Sequence, residues 1–109
     1  MTQLALIRHA PTTWNAEGRL QGRRDTALSD EGKAALATWA TPAALKGFDW
    51  VASPLGRCQE TARHLLGRTV QSDDRIIEMN WGDWEGCIRA ELAETLGDAF
   101  LENEARGLD

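Results

Sequence analysis

In the stretch "LALIRHAPTTWN" (residues 4–15), Arg8 and His9 follow directly on a four-residue apolar run. A third candidate, Arg57, comes just after "SPLG" (residues 53–56), in the first turn of an expected helix that leaves an expected strand. In open α/β sheets, ligands collect at the carboxyl ends of the strands, and both positions lie at such an end. A helix N-terminus offers unpaired N–H groups and the positive end of the dipole, which suit a phosphate. Arginines add forked donors, each charge-assisted bond contributing on the order of 1.5–3 kcal/mol. A phosphate held there has an imidazole beside its phosphorus atom, and imidazole acts either as an acid/base or as the nucleophile that takes the phosphoryl group. Residues 8–24 carry Arg8, Arg19, Arg23 and Arg24 against Glu17 alone. On charge alone that cluster reads as a solvated loop, and in an acidic chain it otherwise suggests a small anionic ligand.

The elements that must position these groups follow from patterning. "LALI" is continuous rather than alternating, so residues 3–8 read as a strand buried on both faces, as in a parallel sheet. Pro11 and the polar "TTWNAEGRLQGRRDT" make a long connection of the kind that carries function. A helix begins near "LSDEGKAALATWA", with Ser29 as N-cap, Asp30 and Glu31 complementing the dipole, and Pro42 marking its end. "FDWVASP" (48–54) is a second strand. It runs into "SPLGRCQETARHLLG", with Ser53 as N-cap, Pro54 at the first helical position and Gly67 past the end. Leu55, Cys58, Ala62, Leu65 and Leu66 share one face of that helix. A weak strand follows near "TVQS" (69–72). In "CIRAELAETLGDAFLENEA" (87–105), Ile88, Leu92, Leu96 and Phe100 stand four apart and predict one amphipathic helix. Trp39 and Trp50 read as core; for Trp14, Trp81 and Trp84, a pocket wall and plain packing are equal readings. Strand alternating with helix gives an α/β fold with a mostly parallel sheet and flanking helices.

Bulk properties narrow the function. The 109 residues make one domain at most. They are 42% hydrophobic and 27% charged, the balance of an ordinary globular protein. A net charge of −5 argues against nucleic acid held by bulk electrostatics. From Asp83 onward there are eight acids against two arginines. No apolar run approaches the roughly 20 residues needed to span a bilayer. No basic leader precedes the first apolar run, so the expected location is cytoplasmic. Cys58 and Cys87 stand in no CxxC or Cys/His cluster and read as reduced thiols, with no metal site expected. Cys58 sits on the apolar stripe as a packed small residue.

"LIRHAPTTWN", "SPLGRCQETA" and "EMNWGDWEG" together resemble the histidine phosphatase superfamily, which includes phosphoglycerate mutases and α-ribazole phosphatases. The Arg-His signature normally ends in glycine; Ala10 stands in its place, as also happens in the phosphatase branch. The resemblance covers essentially the whole chain and implies a phosphoglycerate mutase-like fold. It implies that His9 is the nucleophile forming phosphohistidine, with its other ring nitrogen fixed by a backbone carbonyl. Arg8 and Arg57 bind the phosphoryl oxygens, Asn15 matches a phosphate-contacting asparagine, and Gln21 lines the entrance. Glu78 matches the acid that protonates the leaving oxygen, a task for a carboxyl that holds its proton part of the time near neutral pH. No cofactor is implied, and the substrate is a small phosphorylated molecule.

The same resemblance exposes a shortfall. The family completes its phosphate pocket with a second histidine from an "SHG"-like motif on a later strand. His64, the other histidine here, lies seven residues past Arg57 on the same expected helix. That is roughly 10 Å toward the wrong end, so it reads as a helix-surface residue. The strand bearing the family's second histidine enters between the first and second strands of this chain, so its loss empties the middle of the sheet. Residues 1–109 are therefore expected to be the N-terminal portion of a single histidine-phosphatase-like domain, apparently lacking the C-terminal part of the fold. Either a missing C-terminal segment or another copy in a homo-oligomer is expected to fill the gap, or the two present strands close up; the missing segment is the favoured reading. "NWGDWEG" and the compact loops favour a phosphatase acting on phosphate monoesters, with doubtful full activity in this chain alone. Phosphoglycerate mutase-type transfer is the alternative. From another class, so is a non-catalytic phosphate-ester binding module or inactive fragment.

Overall fold

The computed structural model describes residues 2–106. Its elements are α1 (Thr13–Glu17), α2 (Asp30–Leu36), β1 (Val51–Ala52), α3 (Gly56–Leu66), β2 (Gln71–Ser72), α4 (Arg89–Leu96) and α5 (Asp98–Arg106), with short 3-10 turns at Ala43–Leu45, Asp74–Ile76 and Gly82–Trp84. β1 and β2 pair in parallel with Val51 opposite Gln71 and Ala52 opposite Ser72, and α3 makes the crossover between them. The βαβ unit expected from residues 48–72 is present.

Local chemistry explains most boundaries. Ser29 Oγ accepts from the Gly32 amide at 2.9 Å, and Asp30 and Glu31 occupy the first turn of α2. α3 begins at Gly56, two residues later than Pro54, because Ser53 Oγ accepts from the Leu55 amide at 3.3 Å and closes a turn ahead of the helix. Gly67, at φ +69°, ends α3 in the left-handed conformation. The sequence reading missed α1. Thr12 caps it in a reciprocal box with Asn15, a local signal available in "TTWN".

Several expectations fail, among them Trp50 as core, which is only partly buried, and a first long helix reaching toward Pro42, since α2 ends at Leu36. Residues 3–8 do not form a buried strand: among the described residues they pair with no strand, and Leu4 and Leu6 are 84% and 88% exposed. A strand meant to be covered on both faces needs neighbours that carry its hydrogen bonds, and β1 and β2 pair with each other instead. Trp39 is not core, being 39% exposed. It lines an open apolar groove of about 420 Å³ with Ala5, Leu6, Ile7, Leu45 and Leu65. The expected helix over 87–105 is two helices, broken at Gly97, whose φ of +59° no helix continues through.

Ala10, Leu28 and Leu36 form one buried cluster. Pro11 O accepts from the Ser29 amide at 3.0 Å. Gly32 permits this approach, since a Cβ there would stand 3.0 Å from the Pro11 carbonyl carbon and closer still to its oxygen. A second centre joins the turn at Gly82–Trp84 to α5: the Trp84 ring meets buried Phe100 edge-on at 5.1 Å and stacks on Trp81 at 6.2 Å. For Trp81 and Trp84 the packing reading is therefore the one observed.

Candidate functional site

The Arg-His pair is carried to the first turn of α3 by a short relay. Ala10, fully buried, donates its amide to Thr61 Oγ1 at 3.0 Å, and that hydroxyl donates to Arg57 O at 2.8 Å. Thr61 thus ties the chain next to His9 to the backbone of Arg57, a role that its i+4 spacing from Arg57 could have suggested. His9 is half-buried, and its Nδ1 lies 2.7 Å from the Ala10 carbonyl. A carbonyl can only accept, so Nδ1 carries the proton and Nε2 keeps its lone pair. Burial lowers the ring's pKa most; the Ala10 hydrogen bond opposes this, while the charges of Arg57 and Arg8 lower it further and Glu78 raises it. Arg57, Arg8 and Glu78 all lie within electrostatic reach of the ring, and the balance keeps His9 neutral.

Arg57 is the most constrained of these groups, at 2% exposure. Its Nη2 donates to Gly22 O at 2.7 Å and its Nη1 to Arg24 O at 3.1 Å, with Asp25 Oδ1 3.6 Å from Nη1. The alternative pairings with Glu60 or Glu91 are not made; the carboxylate beside Arg57 is that of Asp25. Asp25 also accepts from the Gly56 and Arg57 amides, so it caps α3. Arg57 Nε is buried without a hydrogen-bond partner, the one such side-chain atom among the described residues. An orphaned donor on a buried guanidinium is costly unless a ligand meets it.

The remaining candidates take different places. Arg8 is exposed beside His9. Glu78 is exposed, with its Oε1 accepting from the Met79 amide at 2.9 Å. Asn15 Oδ1 accepts from Thr12 N at 2.9 Å and Thr12 Oγ1 at 3.1 Å, which employs it as the α1 cap. Gln21 Nε2 donates to Thr12 Oγ1 and Thr26 Oγ1, both at 2.6 Å, fastening the connection between α1 and α2. Trp14 packs under the Arg24 guanidinium, 5.6 Å from ring to Cζ. His64 is a surface residue of α3, 4.0 Å from Glu60. Burial pushes the Cys58 thiol up, which suits a packed residue and not a nucleophile. Asp25, Thr61 and Glu85 were not singled out from sequence, because each acts on backbone groups that are distant along the chain.

The family model of the histidine phosphatase superfamily (branch 1) matches residues 4–108. The chain belongs to the histidine phosphatase superfamily. Among its relatives, phosphoserine phosphatase 1 of Hydrogenobacter thermophilus is 36% identical over 104 residues, covering 92% of this chain and 49% of the relative. A glucosyl-3-phosphoglycerate phosphatase of Mycolicibacterium vanbaalenii is 37% identical over 94 residues, covering 83% and 42%. A crystal structure of phosphoglycerate mutase from Thermus thermophilus superposes with a TM-score of 0.75 at 31% identity, covering 94% of this chain and 56% of that one. The superfamily chain described here thus spans less than half the length of these curated relatives. Its fold is the α/β, phosphoglycerate mutase-like one expected from the motifs, present in part.

Proposed function

We propose that residues 1–109 are the N-terminal portion of one histidine phosphatase domain that hydrolyses small-molecule phosphate monoesters through a phosphohistidine. The observation that carries this reading is a His9 whose Nδ1–H is held by the Ala10 carbonyl, within electrostatic reach of an Arg57 whose buried Nε has no partner. His9 Nε2 attacks phosphorus, the ester P–O bond breaks, and the leaving oxygen takes a proton from the Glu78 carboxyl. Water then attacks the phosphohistidine and gives its proton back to Glu78. The P–N bond breaks, and phosphate leaves a restored imidazole. Arg57 Nε and Arg8 hold the phosphoryl oxygens as charge spreads onto them, with Asn15 as a further phosphate contact and Gln21 lining the entrance. Relatives named as phosphatases support hydrolysis, while others are named as probable phosphoglycerate mutases, so mutase-type transfer stays the alternative.

The exposed apolar segment at Leu4–Ile7 supports a second part of the reading. We take its partner to be a strand from further polypeptide of the same protein, consistent with the share of the relatives' length that this chain spans. Among the described residues no helix is long and apolar enough to cross a membrane, and the proposed location is cytoplasmic. Amide exchange tests the edge. Residues 4–7 of the 109-residue chain are expected to exchange at rates close to those of an unfolded chain, independent of concentration. Protection that grows with concentration would assign the edge to a second copy instead.

The catalytic reading is tested by incubating the chain with an aryl phosphate, quenching in alkali and mapping the modification by mass spectrometry. Phosphate on His9 is the expected result. Saturable vanadate binding with no covalent phosphate would make the chain a binding module.

A further inference from the structure

We propose that Glu85 is a positioning residue that sets the guanidinium of Arg57 through the strap Gly22–Arg24. The inference rests on the reading of Arg57 as a phosphoryl-binding group. Glu85 follows the turn at Gly82–Trp84 and is a carboxylate at 7% exposure. Its Oε1 accepts from two consecutive amides, those of Arg23 and Arg24, the second at 3.4 Å. Successive backbone N–H groups aimed at one anion form a cradle for negative charge. The opposite side of the same strap faces Arg57: the carbonyls of Gly22 and Arg24 accept from its Nη2 and Nη1. Three residues are therefore gripped between a buried carboxylate and a buried guanidinium.

The sequence is cut to fit this grip. Gly22 is buried, and a Cβ there would run into Glu85 Oε1 and stand 2.7 Å from Met79 O. Arg24 Nη1 donates to Glu85 O at 3.4 Å, and its guanidinium lies over Trp14. Arg23 Nε donates to Glu78 O at 3.3 Å, so the strap also touches the backbone of the proposed proton donor. With each terminal nitrogen of Arg57 engaged by a strap carbonyl, its guanidinium plane is fixed, and Nε is the nitrogen left with no partner. The charges that act on the His9 ring are those of Arg57, Arg8 and Glu78, while the Glu85 carboxylate bonds the strap amides. The proposed effect of Glu85 on His9 therefore runs through the strap and Arg57.

That separation gives the test. In Glu85→Ala, released strap carbonyls let the Arg57 side chain drift from His9, and the His9 ring titrates closer to the ordinary imidazole value, read by NMR without substrate. Glu85→Gln, which keeps the shape and a weaker acceptor, falls between. Gly22→Ala displaces the carboxylate from the other side and moves the titration in the same direction. Inorganic phosphate binding, read by calorimetry, weakens by about tenfold in Glu85→Ala, and by much less when Arg57→Gln is already present. An unchanged His9 titration in folded Glu85→Gln and Glu85→Ala overturns the proposal. So do equal losses of phosphate affinity in both backgrounds. If Arg57→Gln alone leaves phosphate binding intact, the phosphoryl-binding reading of Arg57 fails, while the titration still decides whether Glu85 positions it.

Discussion

Replacing His9 with alanine is expected to lower aryl phosphate turnover by a factor on the order of 10⁴–10⁶, the scale seen when a covalent nucleophile is removed. The same variant should bind vanadate within a few-fold of the parent, because Arg8 and Arg57 remain. That split separates loss of the phosphoryl acceptor from loss of the pocket. The pH profile of the parent chain carries the matching signature. Burial, then the charges of Arg57 and Arg8, hold the His9 ring below its ordinary pKa, outweighing the Ala10 hydrogen bond and Glu78. A nucleophile must be unprotonated, so activity rises with pH through that lowered value, and the midpoint of its acidic limb lies below the ordinary imidazole value. A profile whose acidic limb lies above the ordinary imidazole value contradicts the neutral-His9 assignment. Equal turnover in parent and His9→Ala ends the phosphohistidine mechanism.

The features legible in the sequence are those whose cause lies within a few residues. Ser29 caps α2 because its hydroxyl reaches an amide three residues on. Gly67 ends α3 because a residue without Cβ enters the left-handed region there without strain. The same rule, applied to Gly97, would have split the last helix, but the four-residue spacing of Ile88, Leu92, Leu96 and Phe100 was allowed to override it. "LALI" carries the pattern of a strand covered on both faces, yet a pattern states a requirement and does not supply the partner. Trp39 fails as core for the same reason, since Ala5, Leu6 and Ile7 line the other wall of its open groove. Pattern and environment disagree along Leu4–Ile7 and at Trp39, where the apolar residues that the pattern would bury stay exposed.

His9 and Arg57 could be read from their positions at the ends of two chain segments, and the Thr61 relay ties the residue after His9 to the backbone of Arg57. Asp25 and Glu85 were not legible. Both are carboxylates that accept from backbone amides, and an amide leaves no residue type in the sequence to pair with. Asn15 and Gln21 show the reverse case: motif position marks them, and the structure also employs them in fastening Thr12. One side chain can hold a loop and face a ligand, so a motif match does not separate the two.

Arg57 is where these demands conflict, and its substitution has the second large expected effect. Arg57→Lys keeps the charge but replaces a planar fork by a single ammonium. It cannot donate to Gly22 O and Arg24 O and also present a third donor in the Nε position. Vanadate affinity should fall by about 10- to 100-fold, the equivalent of one charge-assisted hydrogen bond. Arg57→Gln goes further, since it also removes the positive charge that lowers the His9 ring, and His9 should then titrate higher. Both variants strip donors from buried carbonyls, each unsatisfied group costing about 1–3 kcal/mol, so the melting temperature falls as well. Stability alone cannot distinguish a phosphoryl ligand from a structural arginine; the vanadate response can. Added vanadate should raise the melting temperature of the parent and raise it far less in Arg57→Lys. A full vanadate shift in that variant would leave Arg57 as the clasp of the Gly22–Arg24 strap and nothing more. The orphaned Nε argues for the other outcome, because a buried clasp of two carbonyls has no use for a third donor without a partner.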